Sequence, residues 1–257
     1  MTSSARTVPS RPLPTTQEPR TQATEINWLL RAIPADEYAR LLPHLERVTL
    51  EVLEVLAEPG GKLRHVYFPE ASIISVVRPV DGSMVEAGTI GCEGMAGLAA
   101  FLGATWSPSK LLGQVPGTCT RVDFKTFAEL LAELPDMRRR LGRFTLAFLD
   151  QVGQTVACNT RHEIEQRLAR WLLLTRDRVD ADVIRLTHEV LAQMLGVRRA
   201  GVSEAAAALQ RAGLIRYSRG KVTIVDRAGI EKLTCECYRV NRTHMERLLS
   251  GDALPGS

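Results

Sequence analysis

The chain has 257 residues, of which 45% are hydrophobic and 24% charged, with a formal net charge of +4. That is an ordinary globular composition, long enough for two compact domains and too weakly basic to name a polyanionic partner from the total alone. The five cysteines (Cys92, Cys119, Cys158, Cys235 and Cys237) are odd in number and scattered, which does not fit a secreted disulfide framework. No apolar run approaches the roughly 18 residues of a membrane span. The first residues also lack the apolar core of a signal peptide. A reducing cytoplasm is the expected location.

Residues 1–24 are rich in Ser, Thr, Pro and Gln and carry too little apolar area to offset ordering entropy, so a disordered tail is expected. From 25 to 47, Trp28, Leu29, Ile33, Tyr38, Leu41, Leu42 and Leu45 fall at helical spacing, broken by Pro34 and Pro43. Two short helices fit. From Val48 to about Phe124 the pattern changes to short β-like runs bounded by Gly, Pro and Asp, such as 66–69, 73–77 and 84–90. Asp81-Gly82 between the second and third is a hairpin signal. Many short strands closing on one another predict a barrel-like or jelly-roll sandwich.

Helix returns at 124–134, and a long helical stretch follows Pro135 to about Asn159. Met137, Leu141, Phe144 and Phe148 have coiled-coil spacing and are expected to form a dimer seam. A second apolar line runs through Leu146, Leu149, Val152 and Val156, so this helix has two faces to cover. Another amphipathic helix is expected over about 162–175, with Ile164, Leu168, Trp171 and Leu172 inward.

Residues 184–225 have the strongest pattern. Thr187 is a suitable N-cap, Glu189 sits in the first turn, and Val190, Leu191, Met194 and Leu195 form the buried face of a short helix ended by Gly196. A second helix is expected from about Arg199 to Ala212, with Val202, Ala206 and Leu209 inward and Gly213 as its stop. Two such helices joined at a Gly turn make a helix-turn-helix. Residues 214–217 and 222–225 flank Ser218-Arg219-Gly220-Lys221, a hairpin with a basic tip. Between Gly196 and Lys221 stand Arg198, Arg199, Arg211, Arg216, Arg219 and Lys221, against Glu204 as the one acidic residue. Positive charge is thus concentrated on the two elements that would face DNA.

On these residues the chain resembles the family of the cyclic-AMP receptor protein and the fumarate–nitrate regulator (Crp/Fnr), over about 26–233. The most specific stretches are HVYFPEASIISVV (65–77), DGSMVEAGTIGCEGMAGL (81–98), QRLARWLL (166–173) and LTHEVLAQMLGVRRAGVSEAAAALQRAGLI (186–215). The resemblance implies an α+β fold with an N-terminal double-stranded β-helix (β-roll) sensor domain over 25–134 and a dimerisation helix over 135–160. It also implies a winged helix-turn-helix over 161–233 and a C-terminal tail over 234–257. The implied function is a homodimeric transcription regulator that binds a pseudo-palindromic operator, with RNA polymerase as a further candidate partner, an unidentified small-molecule effector and no membrane. The competing reading is a small-molecule-binding module whose winged helix contacts proteins. No nucleophile–base pair, phosphate loop or metal cluster stands at a diagnostic spacing, so an enzyme is not expected.

Transferred residue by residue, the family's first base-reading arginine matches Arg199, expected on a guanine. The following positions are Ala200 and Gly201, and the later basic position is Glu204, so the operator is expected to differ from the family's commonest one. Gly201 costs a helix interior about 1 kcal/mol relative to Ala, which close helix packing or close approach to DNA would explain. Arg198, Ser203, Arg211, Arg219 and Lys221 are candidate phosphate contacts.

In the roll, Gly91, Glu93 and Gly94 resemble the family's Gly-Glu segment. Where cyclic-nucleotide binders carry an Arg pair, the sequence reads Trp106-Ser107-Pro108-Ser109-Lys110. Ser109 and Lys110 complete the candidate effector pocket, but without an arginine to grip phosphate, cyclic AMP is not expected. Residues 1–91 contain no cysteine, so an N-terminal iron–sulfur cluster is not expected either. His44, His65 and His162 are available as haem ligands but are read as ordinary core or surface histidines. Cys235-Glu236-Cys237 would need partners elsewhere to be a redox or metal pair. No metal site is expected, and these thiols are read as free.

Overall fold

Seven short strands form between Glu46 and Asp123 in the computed structural model, which describes residues 11–12, 21–179 and 181–250, while the apolar stretch around Leu98–Ala100 makes a 3-10 turn. The chain forms two compact units, residues 1–76 with 89–141, and residues 77–88 with 142–257.

In the first unit, one four-stranded sheet has the order β1 (Arg11–Pro12), β2 (Glu46–Leu50), β8 (Gly117–Asp123), β4 (His65–Pro69). The other has the order β3 (Val55–Ala57), β7 (Lys110–Val115), β5 (Ile73–Val80), β6 (Ser83–Ile90). Val48, Leu50, Val66, Phe68, Ile73 and Ile74 are fully buried and form much of this core. Asp81 and Gly82 both adopt positive φ, 49° and 74°, so the β5–β6 turn is the one the Asp-Gly pair predicts.

The two short helices are α1 (Trp28–Ala32) and α2 (Ala35–Leu41), separated at Pro34. Asn27 caps α1, accepting from the amides of Leu29 and Leu30, and its own amide donates to the carbonyls of Pro69 (3.0 Å) and Gly94 (2.9 Å). One buried side chain thereby fixes α1 on the roll. After α3 (Phe124–Leu130), the long helix α4 runs Pro135–Arg161. The buried Glu37 carboxylate accepts from the amides of Asp136 (2.8 Å) and Met137 (2.9 Å), placing a negative charge at the helix's positive end.

The expected dimer seam is corrected. Met137, Leu141 and Phe144 are 0% exposed and Phe148 is half-buried, all within a single chain. They fill the molecule's own core because the helix must first cover a face within its own chain. The line left outside is the second one, with Leu146, Leu149 and Val156 at 55%, 61% and 61% exposure.

The second unit contains α5 (Ile164–Val179), β9 (Val183–Arg185), α6 (His188–Leu195), α7 (Arg199–Arg211), β10 (Ile215–Ser218), β11 (Lys221–Ile224), α8 (Arg227–Leu233) and α9 (Cys237–Ser250). The outer part of the β5–β6 hairpin also belongs to this unit, where Trp171 Nε1 donates to Glu86 Oε1 at 3.1 Å. Residues 237–250, expected as a tail, are the helix α9, with Cys237, Tyr238, Asn241 and Met245 buried. Of the expected N-terminal tail, residues 1–10 and 13–20 lie outside the described residues. Arg11–Pro12 pairs with β2, and Gln22–Thr24 forms a 3-10 turn.

Candidate nucleic-acid interface

The helix-turn-helix is built from local signals. The Thr187 hydroxyl accepts from the amide of Val190 at 3.3 Å, starting α6. Gly196 ends it at φ 62°, a left-handed conformation that costs glycine no Cβ clash. Val190, Leu191, Met194 and Leu195 are buried, as are Val202, Ala206 and Leu209 of α7. Alanines at 205 and 206 let α7 pack closely on its neighbours. Arg167, buried on α5, closes the end of α6 by donating to the Leu195 carbonyl, while its Nε donates to Asn159 Oδ1 at 3.1 Å.

Gly201 is half-buried, and a Cβ there would stand 3.0 Å from Ile164 Cδ1, so the glycine lets α7 pack closely on α5. Ser203 is also half-buried. Its hydroxyl bonds His188 Nδ1 at 2.9 Å and donates to the Arg199 carbonyl at 3.0 Å. The surface of α7 instead presents Arg199, Ala200, Glu204 and Arg211, with Arg198 at its N-cap.

Ser218 pairs with Lys221, so Arg219 and Gly220 alone form the wing's turn, at φ 49° and 72°. That is the two-residue turn whose twist suits a hairpin. The third strand, β9, sets Arg185 opposite Lys221. The wing therefore carries Arg185 as well as Arg216, Arg219 and Lys221, all exposed. Sequence reasoning missed Arg185 because it belongs to the wing only through a pairing made across about three dozen residues.

His188 joins the wing to the helix pair. Its ring stacks on Tyr217 with centroids 4.2 Å apart, and Tyr217 Oη donates to the Leu186 carbonyl at 2.9 Å. Burial, then the nearby Arg199 charge, lowers the His188 pKa below its ordinary value. Nothing in the local sequence signals this stack. Arg198 and Arg199 also border a cleft of about 670 Å³ that they share with Met84, Val85, Glu189 and Gln193 of the same unit.

The candidate effector residues in the roll are differently placed. Glu93 is buried, and its Oε1 accepts the Gly91 amide at 3.1 Å, so the carboxylate holds its own turn. The Gly94 carbonyl takes the Asn27 bond described above. The Ser109 carbonyl accepts from Ser107 Oγ at 2.6 Å, and Lys110 Nζ pairs with Glu58 at 3.0 Å.

Residues 166–233 match the profile of the Crp-like helix-turn-helix domain. No curated protein sequence matches. Three solved structures with the same fold are similar over most of their length. A transcriptional regulator from Eubacterium rectale assigned to the Crp/Fnr family has 14% identity and a TM-score of 0.61, covering 80% of this chain and 96% of that one. FixK2 from Bradyrhizobium japonicum has 15% identity and a TM-score of 0.63, covering 74% and 98%. The c-di-GMP-responsive global regulator CLP of Xanthomonas campestris has 17% identity and a TM-score of 0.59, covering 74% and 99%. Residues 166–233, which carry the exposed basic helix and wing, are thus similar to a Crp-like helix-turn-helix domain, in a chain that shares the fold of Crp/Fnr-family regulators.

Proposed function

We propose that the protein is a homodimeric, sequence-specific regulator that binds a pseudo-palindromic operator, with α7 in the major groove and the wing on the flanking backbone. One observation carries this reading. Arg198, Arg199, Arg211, Arg216, Arg219 and Lys221 are all exposed around the helix-turn-helix, and none has an ion-pair partner among the described residues. Exposed cations that have no ion-pair partner suit a polyanion. Arg199 would read a guanine. Glu204, exposed one turn further on, would accept from a cytosine amino group, which gives an operator rule unlike the family's usual basic one.

The dimer would form along the outward stripe of α4. Leu146, Leu149, Gly153 and Val156 are spaced 3, 4 and 3 residues apart, the period of a coiled-coil seam, and Gly153 leaves open space for close approach. A two-fold protein then meets two half-sites about one helical turn apart.

Sensing is assigned to the roll and an effector other than cyclic AMP. The outer part of the β5–β6 hairpin belongs to the same unit as Gly196, against which Val85 lies. The protein works as a regulator rather than a catalyst, in the cytoplasm, where its thiols stay reduced.

Sedimentation combined with fluorescence anisotropy tests the reading. A dimer whose DNA affinity falls steeply with salt supports it, and a monomer whose affinity ignores salt would refute it.

A further inference from the structure

Cys158, His162, Cys235 and Cys237 come from two places far apart in sequence and meet in the second unit. Their ligand atoms all lie within 4.8 Å of one another. Cys158 and His162 stand four residues apart at the end of α4. The His162 amide donates to the Cys158 carbonyl at 3.0 Å, so the helical ladder continues and both side chains fall on one face. Cys235 and Cys237 flank the start of α9, with Glu236 between them exposed to solvent. The three thiols are 0%, 5% and 1% exposed, and His162 is half-buried.

We propose that these four side chains form a mononuclear zinc site of the Cys3His type, joining the end of α4 to α9. The donor set suits zinc, which takes thiolate and imidazole in a closed tetrahedron. The spacing also fits. With Zn–S about 2.3 Å and Zn–N about 2.0 Å, tetrahedral ligand atoms stand roughly 3.5–3.8 Å apart. Cys158 Sγ and Cys235 Sγ are 3.5 Å apart, as are Cys237 Sγ and His162 Nδ1. A two-iron cluster would hold opposite ligand pairs farther apart, because two metals and their bridging sulfides lie between them.

Surrounding groups complete the case. Gln154 Nε2 donates to Cys237 Sγ at 2.9 Å, the kind of outer bond that orients a ligand. Binding converts three thiols to thiolates, releases three protons to solvent and leaves the complex of Zn2+ with three thiolates and one neutral imidazole at net −1. A counter-charge is present. Arg170 on α5 is 5% exposed, interacts electrostatically with Cys158, and its Nε has no hydrogen-bond partner among the described residues. A buried guanidinium is matched by a metal-thiolate anion at this place. Cys235-Glu236-Cys237 thus gains the two partners that the sequence did not reveal, because 77 positions separate Cys158 from Cys235.

The test is metal binding by the full-length chain, purified reduced and free of oxygen, then stripped with chelator. Titration with Co2+ should give tetrahedral d–d bands and thiolate-to-cobalt charge transfer, saturating at one equivalent per chain. Zn2+ should then displace the Co2+ and raise the thermal unfolding midpoint. His162→Ala should weaken zinc binding about tenfold or more, Cys235→Ser should abolish the cobalt bands, and Cys92→Ser or Cys119→Ser should leave them intact. Wild type alone suffices if a variant fails to fold. Absence of the bands, an iron–sulfur chromophore in the protein as isolated, or a Cys158–Cys235 disulfide in metal-free protein under these conditions would overturn the assignment.

Discussion

In the winged unit, the charged side chains that the sequence marks for a ligand stand in water: Arg198, Arg199, Arg211, Arg219 and Lys221. In the roll, the marked polar groups are turned inward or already paired. Glu93 holds the Gly91 amide, Lys110 pairs with Glu58, and Ser109 is tied to Ser107. The difference separates two uses of polarity. A surface that grips a large polyanion keeps its cations exposed and unneutralised, since pairing them internally would forfeit the interaction with phosphate. In the roll the same residue types are satisfied locally, Glu93 by a backbone amide and Lys110 by a carboxylate.

The largest effect should come from the outward stripe of α4. Replacing Leu146 and Leu149 together by Glu is expected to yield a folded monomer. Its affinity for a two-half-site duplex should fall on the order of 100-fold, because the second half-site contact is no longer tethered to the first. Sedimentation and anisotropy report the two changes. Met137→Glu should behave differently and unfold the protein, since it buries a charge in the chain's own core. If instead Met137→Glu gives a folded monomer, the assignment of the two faces is reversed.

These two faces also mark a limit of what the sequence conveys. The helix-turn-helix was legible because its signals are local: Thr187 as cap, Gly196 and Gly213 as stops, and a 3–4 apolar rhythm between them. The Asp81-Gly82 turn and the short strands of the roll were legible for the same reason. Which of two apolar lines on α4 faces inward depends on tertiary packing, and periodicity is identical for both. Ser203 and Gly201 look like surface positions of a recognition helix until His188 and Ile164 are brought against them. Arg185 and the thiol–imidazole cluster depend on contacts between segments distant in sequence, which no spacing rule reports.

Next in size is Arg199→Ala, expected to cost about 1–3 kcal/mol of operator binding and to relax specificity at one base pair of each half-site. Lys110→Ala in the roll should leave DNA affinity unchanged and lose at most about 1 kcal/mol of stability with its ion pair to Glu58. Competition binding with single-base operator variants, alongside urea denaturation, separates these outcomes. Equal losses of affinity from both substitutions would erase the contrast between the two regions.

Arg219→Asn is a smaller change. Asparagine tolerates the left-handed turn position, so the wing should fold normally while losing a phosphate contact. Affinity should fall a few-fold for all sequences alike, with the salt dependence shallower by about one unit of slope. A sequence-selective loss would mean that the wing reads bases.

The smallest expected effect is on pH. The folded His188 pKa lies below its ordinary value, so the unfolded chain takes up the proton first as pH falls. Its contribution to stability is present above about pH 6.5 and is lost progressively below it. Urea midpoints at about pH 8 and about pH 5.5 should show a decline that His188→Gln reduces. An unchanged decline in that variant would assign the pH response to other groups.

Selection of binding sites from a random duplex library, with wild type and Arg199→Ala in parallel, tests the central claim most directly. The account predicts that wild type enriches an inverted repeat with half-sites about one helical turn apart, and that Arg199→Ala loses the preference at one position of each half-site. Enrichment of a single unpaired half-site, or the same repeat recovered equally by the variant, would contradict it.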